Sequence, residues 1–240
     1  MSIQSINPVN YIDDLNAAAL SPGVENLISS KEFLTGHIDY YHNENFIEIP
    51  SQYAYRADMY LLRDTYNAFY KMYVAAKKDG INLKIISAMR SHTEQQWIWE
   101  DKWLKKQYYA EDKLVQIKNI LEFSAMPGTS RHHWGTEIDL NSTTDNYFLS
   151  GEGKKTYDWL TAHACEYGFC QVYDANYETR EGHGEEKWHW SYLPISKLLP
   201  DLYKQKVGYA DISGFSGSEY AETLKVIDKY VLSVHPDCCK

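Results

Sequence analysis

Apolar residues fall at helical spacing between Tyr53 and Lys78, a stretch without Gly or Pro. Tyr60, Leu61, Tyr66, Phe69, Tyr70, Tyr73 and Val74 share one face, and Asp79-Gly80 supplies a stop signal. The spacing predicts a helix over 53–78. The run from Leu83 to Ala88 is short and β-rich and reads as a strand. Thr93 to Lys106 returns to helical spacing, with Ser91 as a candidate cap, and Leu114 to Phe123 reads as another helix. Ala125 to Ser130 encloses Pro127-Gly128 and reads as a loop. Further strands are expected at Gly135 to Leu140, Cys170 to Tyr173 and Trp188 to Tyr192. A helix is expected from Tyr157 to Tyr167, stopped at Gly168, and another from Glu219 to Leu232, with a short helical patch around Asp14 to Ala19. Helices that precede and interrupt a few short strands point to an α+β fold.

No internal repeat, low-complexity tract or Pro/Gly/Ser-rich linker divides the chain, so one domain is expected over residues 1–240. Its motif-bearing core covers about 53–200, with an N-terminal extension over 1–52 and a C-terminal helical extension over 201–240. The 240 residues include 21 Tyr and 7 Trp, ample material for a core and incompatible with disorder of the whole chain. No apolar run reaches membrane-spanning length. A formal charge of −9 lacks the basic footprint of a nucleic-acid or anionic-membrane binder.

The first twenty residues have neither a basic n-region nor an apolar h-region and do not read as a signal peptide. Cys165, Cys170, Cys238 and Cys239 include no CxxC pair, which argues against a zinc ribbon or a thioredoxin site. Their even count allows disulfides in an oxidising compartment; the vicinal pair equally fits a solvated tail.

Candidate chemistry lies in two clusters. One runs from Ser130 to Asp139 and contains Arg131, His132, His133 and Glu137; the other runs from Glu185 to Trp190 and contains Glu186 and His189. A catalytic zinc site needs three N/O ligands, an open position for water, and a nearby carboxylate that takes a proton from that water. The clusters hold this inventory. His132 and Asp139 are seven residues apart, about 23 Å if extended, so the chain must fold back between them, and Gly135 is where it can. On a strand over 135–140, Glu137 and Asp139 share a face. Glu186 fits a turn ahead of an aromatic, β-friendly strand that carries His189.

The pattern S-x-H-x-x-G-x-x-x-D at Ser130 to Asp139, followed by E-x-W-H at Glu186 to His189, resembles the VanY-type D-alanyl-D-alanine carboxypeptidases. These are zinc peptidases related to VanX and to the hedgehog-like fold. Ser87-Ala88-Met89-Arg90-Ser91, with Gln95 five after Arg90, is similar to a third block of that family, and the three blocks stand in the family's order over roughly residues 60–193. The resemblance implies a small antiparallel sheet that holds one Zn2+ and is flanked by helices. It implies His132, Asp139 and His189 as metal ligands and Glu186 as general base and then acid. Arg90 would stabilise the oxyanion or anchor the substrate, and Ser130 and Gln95 would hold a peptide carboxylate. Three positions depart from the family's pattern: Glu137 replaces an Ala, Met89 an aromatic, and Ser191 an Arg. On the strand reading Glu137 could sit behind the ligands or alter the cleft.

Rival readings attach to the same residues. His133 and His183 compete as ligands, and Glu185 as the base; each lies off the motif. The expected activity is zinc-dependent hydrolysis of peptidoglycan stem peptides or muropeptides, led by a D,D- or L,D-carboxypeptidase removing a terminal D-amino acid. An endopeptidase of lysin or secreted-effector type is the rival, and a non-catalytic zinc-binding interaction module is the alternative of another class. The implied location is periplasmic, cell-surface or secreted. The segment from Tyr108 to Met126 separates the arginine block from the first zinc block and is expected to shape the cleft.

Overall fold

A computed structural model describes residues 20–21, 23–175 and 180–235. The helical patch expected at Asp14 to Ala19, and Cys238 and Cys239, lie outside the described residues. Eight α-helices are described: α1 (Val24–Ile28), α2 (Lys31–Thr35), α3 (Arg63–Lys78), α4 (His92–Leu104), α5 (Lys113–Leu121), α6 (Gly151–His163), α7 (Leu193–Ser196) and α8 (Leu199–Lys206). Six short strands accompany them: β1 (Phe46–Glu48), β2 (Tyr60–Leu62), β3 (Ile85–Ser87), β4 (Glu137–Leu140), β5 (Phe169–Cys170) and β6 (His189–Tyr192). Strands β1 and β2 pair with each other; the others form one antiparallel sheet in the order β3-β4-β6-β5. The fold is α+β, as the alternation of periods implies.

The long helix starts ten residues later than its apolar spacing suggests. Tyr60 to Leu62 pair with β1, and the Leu62 amide donates to the Gly135 carbonyl (3.0 Å), so the chain there is committed to extended partners. Thr65, Phe69, Met72 and Ala76 then form the buried stripe of α3. The expected helix at Glu219 to Leu232 does not form as one element. Lys225 takes φ +51 and interrupts it, leaving a 3-10 turn at Ser218–Tyr220 and a π-turn at Ile227–Val231. The helix expected from Tyr157 begins earlier, at Gly151, and passes through a 3-10 turn to Gly168, whose φ of +81 ends it.

Helix α4 begins where expected. Ser91 accepts from the Glu94 amide while the Glu94 carboxylate accepts from the Ser91 amide, a reciprocal cap that fixes the chain directly after Arg90. One core cluster runs from Val24 to Val231 and draws on every helix except α6's exposed flank and on the sheet's inner residues, including Leu61, Phe69, Trp99, Ile138 and Tyr203. Residues 24–49 and 199–231 therefore pack into the same core as the motif-bearing segment. Among the described residues no helix is long and apolar enough to cross a membrane.

Candidate metal and active site

The sheet does most of the positioning. Asp139 on β4 lies directly opposite His189 on β6, and Glu137 lies opposite Ser191. Alternation along β4 puts Asp139 and Glu137 on the same face. His132 arrives from the other direction. It sits in a 3-10 turn, Arg131–Trp134, that Gly135 ends with φ +63. A Cβ at Gly135 would come within 2.8 Å of the Phe46 ring and 3.1 Å of the Leu62 amide, so the reversal needs glycine for space as well as for backbone angle. The fold-back that the seven-residue spacing demands is thus a 3-10 turn, a glycine and a strand.

The ligand-type atoms of His132, Asp139 and His189 all lie within 4.8 Å of one another, and all three residues are buried. An Asp139 carboxylate oxygen is 3.4 Å from His132 Nε2 and 3.1 Å from His189 Nδ1. The outward nitrogens are already engaged. His132 Nδ1 donates to the Ala88 carbonyl at 2.7 Å, and His189 Nε2 faces Glu137 Oε2 at 3.0 Å. Each ring therefore turns its remaining nitrogen toward Asp139. Two imidazoles and a carboxylate converging in a buried pocket, each ring held from behind, form a donor set that fits one zinc ion. His189 is pushed up to about 9: burial opposes its charge, but the Asp139 and Glu137 carboxylates prevail. Asp139 is lowered despite burial, because His132 and His189 stand beside it.

Glu186 occupies the turn before β6, as expected. Its amide donates to the Tyr173 carbonyl (2.9 Å), and its carboxylate comes within 3.7 Å of His189 Nδ1. Burial pushes this carboxyl up to about 7, opposed by His189 and Arg90. Its neighbour Glu185 ion-pairs with Lys187. Arg90 follows β3 and donates to Gln95 at 2.7 Å; its other terminal nitrogen is 3.9 Å from Asp139, and its Nε is buried without a partner.

These residues meet in a cleft of about 570 Å³ that His132, Asp139, His189, Glu186, Arg90 and Ser130 line together. Gln95 is not on that wall. It is fully buried, accepts from Arg90 and donates to the Ala125 carbonyl at 2.8 Å, so it holds the arginine rather than facing the cleft. His133 also faces elsewhere: Nδ1 donates to the Arg90 carbonyl and Nε2 accepts from the Gly128 amide. His183 lines the cleft, yet its Nδ1 donates to the Leu121 carbonyl and it stands outside the three-residue cluster. Burial lowers both of these histidines to about 3.

Sequence reasoning pointed to the segment over 108–126 as shaping the cleft but named no wall residue within it, and it missed Lys102 and Tyr173. Tyr108, Phe123 and Ser124, from the segment ahead of the first zinc block, form one side with Lys102 of α4. Lys102 donates to the Phe123 carbonyl (3.2 Å), and burial with Arg90 nearby lowers it to about 8. Tyr173 sets its ring 4.8 Å from that of His189, tilted by 40°. Lys102 is on α4 and Arg90 precedes that helix, and neither their spacing nor Tyr173 carried a signal in the sequence.

Residues 58–195 match the VanY family, described as D-alanyl-D-alanine carboxypeptidase. The chain belongs to that family. The VanY match spans all three sequence blocks and the whole four-stranded sheet. YodJ of Bacillus subtilis (strain 168), named as a carboxypeptidase, is 25% identical over 205 residues, covering 82% of this chain and 71% of its own. Among solved structures, VanYB in complex with D-alanine-D-alanine superposes with a TM-score of 0.53 at 20% identity, over 70% of this chain and 88% of that one. A zinc complex of the D,D-pentapeptidase VanY from a VanB-type resistance cassette gives 0.50 at 24% identity, over 66% and 89%. Both likenesses show the fold. Membership of the VanY family makes this chain a peptidase.

Proposed function

We propose that the protein is a single-zinc carboxypeptidase that removes a terminal D-amino acid from peptidoglycan stem peptides. The observation that carries this reading is the buried convergence of His132, Asp139 and His189 with the Glu186 carboxyl beside them. A zinc ion held by those three residues supplies Lewis-acid polarisation of the scissile carbonyl and activation of the attacking water. Glu186 accepts one proton from that water as the new C–O bond forms. It then delivers the proton to the amide nitrogen as the C–N bond breaks; the acid's remaining proton passes to the amine, so the products are a carboxylate and an ammonium group. Its raised pKa suits a group that must hold and release a proton near neutrality. Arg90 brings positive charge to the place where the carbonyl oxygen becomes negative, and Gln95 fixes the guanidinium there.

Cleavage at a chain end, rather than within it, is supported by a second cation in the cleft. Lys102 and Arg90 line the same cavity, and a peptide's terminal carboxylate needs such a partner. Ser130, which also lines the cleft, offers a hydroxyl to the same carboxylate. The neighbours' bound D-alanine-D-alanine and zinc suit a cavity of this lining. Work on such a substrate takes place outside the cytoplasm. Cys165 and Cys170 are both disulfide-bonded, which agrees with an oxidising compartment.

Digestion of defined muropeptides, with products read by mass spectrometry, tests this reading. Loss of one terminal D-alanine, abolished by a chelator and restored by zinc, is expected. Cleavage only at internal bonds, or turnover that survives metal removal, would overturn it.

A further inference from the structure

Against His189 lies a buried group of charged and polar side chains that the proposed reaction does not use; of these only Arg131 also lines the cleft. Glu137 is fully buried on β4. One of its carboxylate oxygens, Oε2, faces His189 Nε2 at 3.0 Å. The other, Oε1, accepts from the Ser191 hydroxyl at 2.8 Å and the Thr136 hydroxyl at 3.2 Å, and stands 3.2 Å from an Arg131 terminal nitrogen. Arg131 also donates to Ser191 Oγ at 3.1 Å, and its guanidinium lies 4.5 Å over the Trp134 ring. Glu137 and Ser191 are two of the positions where the chain departs from the family's pattern, and they are directly opposite each other across β4 and β6.

A buried carboxylate whose one oxygen accepts from two hydroxyls and pairs with a guanidinium has a fixed orientation. Its second oxygen is an acceptor only, so His189 must donate to it through Nε2. That leaves Nδ1, beside Asp139 and His132, as the nitrogen that gives up its proton when a metal binds. We propose that Glu137, anchored by Arg131 and Ser191, is a positioning residue that sets the tautomer and ring angle of His189 for metal binding. The proposal rests on the reading of His189 as a ligand. It extends that reading to Glu137 and Ser191, which lie behind the ligand rather than among the three converging side chains.

The isosteric variant Glu137→Gln makes the sharpest test. With Arg131 and Ser191 still donating to one side, the glutamine oxygen stays there and its amide NH2 turns toward His189 Nε2. That arrangement places the ring proton on Nδ1, where it blocks the metal. Zinc affinity of the folded variant, measured by competition with a chromophoric chelator, should fall about 10- to 100-fold, the usual effect of removing such a partner. In case the single change prevents folding, Arg131→Met combined with Glu137→Ala removes the charge pair together and should weaken zinc by a similar factor. In the zinc-loaded parent, His189 should show a slowly exchanging Nε2–H resonance, absent from the double variant. Either folded variant binding zinc within threefold of the parent would overturn the proposal. His132→Ala is the control. If the parent binds zinc no better than His132→Ala, the ligand assignment fails and this inference falls with it. If His132→Ala loses zinc and Glu137→Gln does not, only this inference falls.

Discussion

At the scale of single residues, what decides the site is which atom each group has left to offer. His132 and His189 both spend one ring nitrogen on a neighbour inside the protein and turn the other toward Asp139. The Glu186 carboxylate has the His189 ring within 3.7 Å and feels Arg90 and Lys102 from further off, and burial pushes its pKa up to about 7. Glu186→Gln should therefore retain one zinc per chain, by elemental analysis, while kcat falls by about 10²- to 10⁴-fold, the range for loss of a general base. Undiminished turnover would remove Glu186 from its role. Arg90→Met should lower kcat by about 10²- to 10³-fold with zinc retained, since it removes charge from the oxyanion's place alone; an effect confined to KM would make Arg90 a ground-state anchor instead. The convergence of His132, Asp139 and His189 with Glu186 beside them was legible in the sequence because the spacing is local: H-x-x-G-x-x-x-D defines a fold-back, and E-x-x-H a turn into a strand. Glu137's role was only half legible. Its face on β4 follows from alternation, but its partners Arg131 and Ser191 are set by pairing between distant strands, which no local pattern records.

Elements show where periodicity misleads. The apolar residues Tyr60 and Leu61 continue the helical stripe of α3, yet they belong to β2, because β1 and the Gly135 carbonyl claim their backbone groups. A stripe says which side chains are buried and not which hydrogen bonds the backbone makes. Cap signals were more dependable: Ser91 starts α4, and Gly168 ends the 3-10 turn that follows α6. The cap at Ser91 also has a consequence for the site, since it pins the residue next to Arg90 and leads into the turn that carries Gln95. Ser91→Ala should cost about 1 kcal/mol of stability in urea titrations, with a smaller loss in activity than Arg90→Met. No change in the urea midpoint would show that the cap adds nothing to the hydrogen bonds of Glu94 with Tyr40. Helix α5 and its flanks give the cleft a wall of Tyr108 and Phe123, so the segment that separates two motif blocks in sequence is cleft wall in space.

For the whole molecule, buried histidines couple stability to pH. His133 and His183 are held down at about 3 by burial, against 6.5 for an exposed ring. Between those values the unfolded chain takes up protons that the folded chain refuses. Stability therefore falls as pH falls through that window, by up to about 1.4 kcal/mol per pH unit for each group. Urea midpoints of the metal-free Glu186→Gln protein, which lacks the carboxyl whose raised pKa of about 7 opposes the trend, should drop steadily from pH 6.5 to 5; a flat series would mean that both rings are protonated in the fold. We propose that the described residues form one domain, since residues before and after the motif-bearing segment share its core. The central claim is that this one core brings three side chains from two clusters around one zinc. The direct measurement is an anomalous difference map, at the zinc absorption edge, from crystals grown with zinc. One peak about 2.0–2.2 Å from His132 Nε2, an Asp139 carboxylate oxygen and His189 Nδ1 is predicted, with Glu186 nearby and not ligated. A map without a peak there, or with zinc held by His133 or His183, would contradict the account.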